Sequence, residues 1–193
     1  VYGDPVPAPP ILLIRHAESE WNAAGRWQGH GDPPLSERGR DQAGRSARQL
    51  ANVRIDVLVC SDLRRAVETA GAVGGALGLE PLRDAGLREL DVGAWEGLTR
   101  SEIARRHPED LAAFDRGDLD ARPTGGETLV ELEARARSTL ASLVERHEGK
   151  RLGVITHLGV IRVLADVAEI DNAGWCWIDF GGAESVPLAR EAG

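Results

Sequence analysis

Ile11-Leu12-Leu13-Ile14-Arg15-His16 decides how the rest of the chain is read. Four consecutive apolar residues leave no polar face, as in a strand buried on both sides of a sheet. The run then stops at Arg15-His16, where a strand would release the chain into a loop through Ala17-Glu18-Ser19-Glu20-Trp21-Asn22. Two further runs have the same character: Ile55-Asp56-Val57-Leu58-Val59-Cys60, and Leu152-Gly153-Val154-Ile155 with Thr156-His157 at its exit.

Helices are predicted between these runs. Ser36 is a good N-cap for a helix to about Ala51, with Ala43, Ala47, Leu50 and Ala51 on one side. Ser61 would cap a helix through Arg65, Ala66, Thr69, Ala70 and Val73, its far half weakened by the glycines at 71, 74, 75 and 78. The segment Leu82 to Gly97 reads as loose. Thr99 with Glu102 and Thr128 with Glu131 form capping boxes, the first for a short helix ending near Pro108, the second for a long one to about Glu148. A helix over Val160 to Val167 and two short strands, Trp175 to Phe180 and Ser185 to Leu188, complete the pattern. Strand and helix alternate, which predicts a single-domain α/β fold: a three-layer α/β/α sandwich with a mainly parallel sheet. Residues 1–10, with prolines at 5, 7, 9 and 10, read as a flexible lead, and residues 11–193 as the domain.

Composition narrows the function classes. With 193 residues and 42% apolar content there is enough for one core. Asp and Glu outnumber Lys and Arg 31 to 23, a net charge of −8 that argues against a nucleic-acid partner. A few local arginines can still hold a small anion. No apolar run approaches the roughly 20 residues of a membrane span, so no membrane partner is expected. The opening lacks a basic stretch followed by an apolar one, and the cytoplasm is the expected location. Cys60 and Cys176 form neither a disulfide framework nor a CxxC pair; each reads as a small apolar strand residue. No phosphate-binding G-x-x-x-x-G-K-[ST] loop is present.

Ligands of mainly parallel sheets bind beyond the carboxyl ends of the strands. Arg15-His16 and His157 both stand at such exits, so residues far apart in sequence would converge there. His107, before Pro108, and His147, near a helix end, read as structural; His30, in a Gly/Asp loop, reads as exposed. Arg64 and Arg65 begin a helix, where the positive helix end disfavours cations. An anion held between helix N–H groups and a guanidinium fork would account for one of them, and position alone leaves the choice between the two open.

The block Leu13-Ile14-Arg15-His16-Ala17-Glu18-Ser19-Glu20-Trp21-Asn22 is similar to the N-terminal signature of the histidine phosphatase superfamily, which includes the phosphoglycerate mutases. The resemblance continues in family order through Arg26-Trp27-Gln28-Gly29, Pro34-Leu35-Ser36-Glu37-Arg38-Gly39, Ser61 to Ala70, Leu87 to Gly97, Gly125-Gly126-Glu127 and Ile155-Thr156-His157. It implies a phosphoglycerate mutase-like fold and a phosphoric monoester hydrolase of the phosphatase branch. His16 would be the nucleophile, Arg15, Arg65 and His157 would surround the phosphoryl oxygens, and Glu89 would be the proton donor. Asn22, Gln28 and Gly29 match positions that line the phosphate or substrate pocket. The pattern puts its second arginine directly before an alanine, which selects Arg65 over Arg64.

The chemistry of that set is intelligible in itself. A transferring phosphoryl group spreads charge over three oxygens, which two arginines and a histidine can stabilise without a metal or a cofactor. A nucleophilic histidine must be neutral at the attacking nitrogen, so His16 needs an acceptor, such as a backbone carbonyl, on the other nitrogen, and neighbouring cations to lower its pKa. The expected substrate is a small phosphorylated metabolite. The alternatives are a cofactor-dependent phosphoglycerate mutase and a non-catalytic phosphate-binding module. Only 35 residues separate Glu89 from Gly125, room for a modest lid, which favours hydrolysis. Ala17 and Leu158 stand where the family pattern has glycine; a left-handed backbone at either would cost about 1 kcal/mol. The connection from Val167 to Trp175 looks trimmed. Trp95 reads as a packing residue, Arg88 as half of a surface pair, and Glu127 as a helix cap, with an approach to the site as its alternative. Trp27, His30, Phe114, Arg116 and Arg122 are candidates for the pocket wall, the arginines suiting a second anionic group or a solvated face. A homodimer is left open.

Overall fold

The computed structural model describes residues 9–165, 167, 169–180 and 185–187; the start of the expected lead and Leu188 lie outside them. The Ile11–Arg15 strand (β1) pairs in parallel with Leu152–Thr156 (β4), and β4 in parallel with Val57–Cys60 (β2). A two-residue strand, Leu82–Arg83 (β3), extends this parallel set, while Trp175–Phe180 (β5) and Ser185–Pro187 (β6) continue it antiparallel on the other side. The sheet order is β3-β2-β4-β1-β5-β6. The expected α/β sandwich is therefore the observed one.

Side chains of a strand alternate between faces, so each β1 residue serves one of two cores. Ile11 and Leu13 pack on one face with Leu132, Ala136, Leu140 and Leu143 of Leu129–Arg146 (α6) and with Val160, Ile161 and Leu164 of Leu158–Ala165 (α7). Leu12 and Ile14 pack on the other with Ala47 and Leu50 of Glu37–Leu50 (α2) and Ala66, Ala70 and Val73 of Arg64–Leu77 (α3). That division explains the unbroken apolar run.

Several boundaries differ from the sequence reading, each for a local reason. Ser36 caps α2, accepting from the Gly39 N–H, and both capping boxes form as expected. Ala51 instead lies in the C-cap and is exposed. Ser61 is not the cap of α3: Leu63 holds that place without a side-chain bond, and the Ser61 hydroxyl accepts from Leu63 N at 3.3 Å. The glycines do not end α3 early, because Ala66, Ala70 and Val73 anchor it on the sheet; it stops at Gly78, whose φ of 68° reverses the chain. The loose segment contains β3 and two 3-10 turns, Ala85–Leu87 and Gly93–Trp95. After the short helix Arg100–Arg106 (α4), Pro108 opens a helix, Pro108–Asp115 (α5), that the sequence reading missed. The helix after His157 begins at Leu158 and ends at Ala165, two residues earlier at each end than the pattern suggested.

Gly71 sits on the exposed side of α3, with open space where a Cβ would go. Gly71→Ala should stabilise the protein by about 0.5–1 kcal/mol, read as a higher urea midpoint with an unchanged slope.

Candidate active site

β1 and β4 are neighbours with Arg15 opposite Thr156, so the residue following each strand end is a histidine on the same sheet edge. The His16 N–H donates to the Thr156 carbonyl at 2.9 Å, and the two imidazole centroids stand 5.0 Å apart. Both rings are buried. The His16 Nδ1 is 2.7 Å from the carbonyl oxygen of Ala17, which fixes the proton on Nδ1 and leaves Nε2 with its lone pair. Burial, then the Arg65 charge, push the His16 pKa well below 6.5, with Arg15 adding to the effect against the raising hydrogen bond to Ala17. His157 is lowered in the same direction by burial and by Arg65, and neither of its ring nitrogens has a partner among the described residues.

The two arginines are held by backbone carbonyls. Arg65 is fully buried near the start of α3 and donates through Nη1 to Gly31 O at 2.7 Å and through Nη2 to Gly29 O at 2.8 Å. Its burial lowers its pKa to about 10. Arg15 donates through Nη1 to Ile170 O at 2.7 Å. Carbonyls orient a guanidinium without neutralising it, so both cations keep their charge for an anion. The Nε atoms of Arg15 and Arg65 are buried without a partner among the described residues. Arg64, by contrast, is exposed and pairs with Glu68. Thr69 joins the α3 motif to the strand exit, donating to Arg65 O at 2.7 Å and accepting from Ala17 N at 3.0 Å.

Arg15, Arg65 and Glu89 line one cavity of about 650 Å³, together with Asn22, Gln28 and Gly29. Glu89 Oε1 accepts from Leu90 N at 2.8 Å and Oε2 from Gly159 N at 3.2 Å. A Cβ at position 159 would overlap the Glu89 carboxylate, so only glycine allows this approach. Asn22 belongs to the one-turn helix Glu20–Ala23 (α1), where it forms a capping box with Ser19; the Ser19 hydroxyl also donates to Gln28 Oε1 at 2.6 Å. The side-chain oxygens of both amides are thus engaged, and their NH2 groups are the ends that a ligand can use. The expected site residues therefore come together.

Glu127 does not cap a helix: Thr128 does, and Glu127 pairs with Arg135 at 2.8 Å. Arg135 also donates to the carbonyls of Gly86, Arg88 and Glu89, clamping the segment that carries Glu89. Local sequence held no signal for this, since those carbonyls are 46 to 49 residues away. His30 is half-buried and its Nε2 lies 3.0 Å from Glu89 O, so it supports the same segment. Trp95 is core and Arg88 pairs bidentately with Asp62, as expected. Among the wall candidates Trp27 and Phe114 line the cavity and Arg116 and Arg122 do not; Arg122 bonds Gly126 O and Glu131. Neither Ala17 nor Leu158 has a left-handed backbone. That conformation falls instead on Ala173, at φ 63°, whose N–H donates to His16 O at 3.2 Å. The short connection before β5 thus backs the site, Asn172 Nδ2 reaching the same carbonyl.

Residues 11–187 match the family model of the histidine phosphatase superfamily, branch 1. The chain belongs to that family. It is 41% identical over 163 residues to phosphoglycerate mutase-like protein 4 of Arabidopsis thaliana, covering 82% of this chain and 70% of that protein. It is 35% identical over 154 residues to phosphoserine phosphatase 1 of Hydrogenobacter thermophilus, covering 80% and 73%. A solved structure of a mycobacterial glucosyl-3-phosphoglycerate phosphatase with VO3 superposes with a TM-score of 0.87 at 31% identity, covering 96% of this chain and all of that one. The expectation of a phosphoric monoester hydrolase agrees with the family and with the two phosphatases among these relatives.

The depressed histidine pKa values link stability to pH. Below pH 6.5 the unfolded imidazoles take up protons that folded His16 and His157 refuse, so the unfolded state binds more protons and stability rises with pH. The stabilisation is full above about pH 7 and is lost as pH falls from 6.5 toward the depressed folded values. Urea titrations between pH 7 and 5 should show the folding constant falling by up to about tenfold per pH unit for each histidine, with a shallower slope in His157→Gln.

Proposed function

We propose that the chain is a metal-independent phosphomonoesterase that works through a phosphohistidine on His16. The observation that carries this reading is the His16 ring, buried among cations with Nδ1 against the Ala17 carbonyl at 2.7 Å. A neutral imidazole with its Nε2 lone pair available beside two un-neutralised guanidiniums is a nucleophile poised on an anion.

The substrate's phosphoryl oxygens lie among Arg15, Arg65 and His157. His16 Nε2 attacks phosphorus, the P–N bond forms and the ester P–O bond breaks, and the Glu89 carboxyl gives its proton to the departing alkoxide. Glu89, now a carboxylate, takes a proton from water as that water's oxygen attacks phosphorus. The P–N bond breaks, inorganic phosphate leaves, and His16 and Glu89 return to their starting forms. The amides of Asn22 and Gln28 donate toward the phosphate, and the Gly159 N–H with the Arg135 clamp holds Glu89 in place. A phosphoglycerate mutase must grip a second phosphate of a bisphosphate intermediate. The two outer guanidiniums of the cavity are paired, Arg26 with Glu102 and Arg162 with Glu169, which favours hydrolysis.

Phosphate release in EDTA from a panel of phosphomonoesters tests the reading. His16→Ala should lower turnover by about a thousandfold or more, and acid-labile, alkali-stable phosphoprotein should be trapped from the parent but not from the variant. Glu89→Gln should slow alkyl esters by about 10²- to 10⁴-fold. Single-turnover release of p-nitrophenol should be slowed far less, because nitrophenolate leaves without a proton. Metal-dependent turnover, or turnover surviving in His16→Ala, would remove the proposal.

A further inference from the structure

The same cavity has two chemically different parts. The phosphoryl end is cationic, with Arg15 and Arg65 held open by carbonyls. The remainder is lined mainly by Trp27, Phe114, Leu129, Leu158 and Val163, with Arg26 and Arg162 among them. The apolar wall is fixed, not floppy: Trp27 and Phe114 meet edge to face at 5.5 Å, each also packs on buried Trp95, and all five apolar residues but Leu158 rest on the core. Leu158, the first residue of α7, adds a side chain where glycine would add none.

We infer that the alcohol released by this phosphatase is bulky and mainly apolar, without a second anionic group. The inference rests on the phosphomonoesterase reading and names its substrate class. A carboxylate or second phosphate on the leaving group would have to shed water against Trp27, Phe114 and Leu129, which is unfavourable without a matching cation. The two cations of this part, Arg26 and Arg162, each have a carboxylate partner of their own. Arg26 donates to Gly97 O at 2.6 Å and to Glu102 at 3.3 Å, and Arg162 donates to Glu169 at 3.0 Å. An aryl or alkyl body, by contrast, gains from every apolar contact the wall offers.

Leaving-group basicity must be held constant for the test, so primary alkyl phosphates are compared: 2-phenylethyl phosphate, ethyl phosphate, O-phosphoserine and 3-phosphoglycerate. For the native chain in EDTA, kcat/KM for 2-phenylethyl phosphate should exceed that for each of the other three by at least about tenfold, mostly through KM. Leu158→Asn and Phe114→Ala should each lower the 2-phenylethyl to ethyl ratio of kcat/KM by about tenfold, a ratio that does not depend on the fraction of folded enzyme. Hydrolysis with O-phosphoserine or 3-phosphoglycerate equal to or better than 2-phenylethyl phosphate overturns the inference and leaves the phosphatase reading standing. An unchanged ratio in both variants overturns it too. No metal-independent release from any of the four esters removes the phosphatase reading, and the inference with it.

Discussion

Two parallel strands set beside each other in one register make this site. With Arg15 opposite Thr156, the next residue on each strand is a histidine, and the His16 N–H closes onto the Thr156 carbonyl. Side-chain direction in a strand has a period of two, so a slip of one residue would turn Leu12 and Leu13 onto each other's faces. The two cores, α6 and α7 on one side and α2 and α3 on the other, therefore enforce the register. The chemistry at the sheet edge is a by-product of that packing. Burial of Ile11 to Ile14 carries His16 to the strand exit, where the Ala173 N–H and the Asn172 amide hold its carbonyl.

The second constraint is the way cations are kept available. A buried guanidinium is costly, and the usual remedy is a carboxylate, which would cancel the charge. Here Arg65 and Arg15 are satisfied instead by the carbonyls of Gly29, Gly31 and Ile170. Those carbonyls come from a loop and from the connection before β5, so apparently passive segments hold the electrostatics of the site. Burial, reinforced by the Arg65 charge, then keeps His16 and His157 neutral, which is the form a nucleophile needs. Neighbouring carboxylates are paired with other arginines, Glu127 with Arg135, Glu102 with Arg26 and Asp62 with Arg88, and Glu89 is the acid that lines the cavity with the two cations.

Features whose cause lies within a few residues were legible in the sequence. The capping residues Ser36, Thr99 and Thr128 act through N–H groups three residues on, and the strand runs show their burial in composition alone. Where a distant element supplied the cause, the reading failed. Ser61 looked like a cap, but the chain turns only at Leu63 because α3 must meet the sheet with Ala66, Ala70 and Val73. Helix α5 escaped because Pro108 looked like a stop; it is also a legitimate first residue. Glu127 looked local to its helix, yet it answers an arginine whose other bonds reach back to residues 86–89.

From residue type and spacing alone it follows that the sheet is buried on both faces and that Arg15, His16 and His157 stand at strand exits, while the acidic balance leaves a small anion compatible with a few local arginines. The choice of Arg65 over Arg64 came from resemblance, and only the folded chain gives its physical reason: one guanidinium meets the carbonyls of Gly29 and Gly31 in the interior, while the other meets Glu68 at the surface. Tertiary structure alone decided which arginines are already paired and which side chains form the cavity wall. Both depend on distances between segments remote in the chain, and no local pattern encodes a distance.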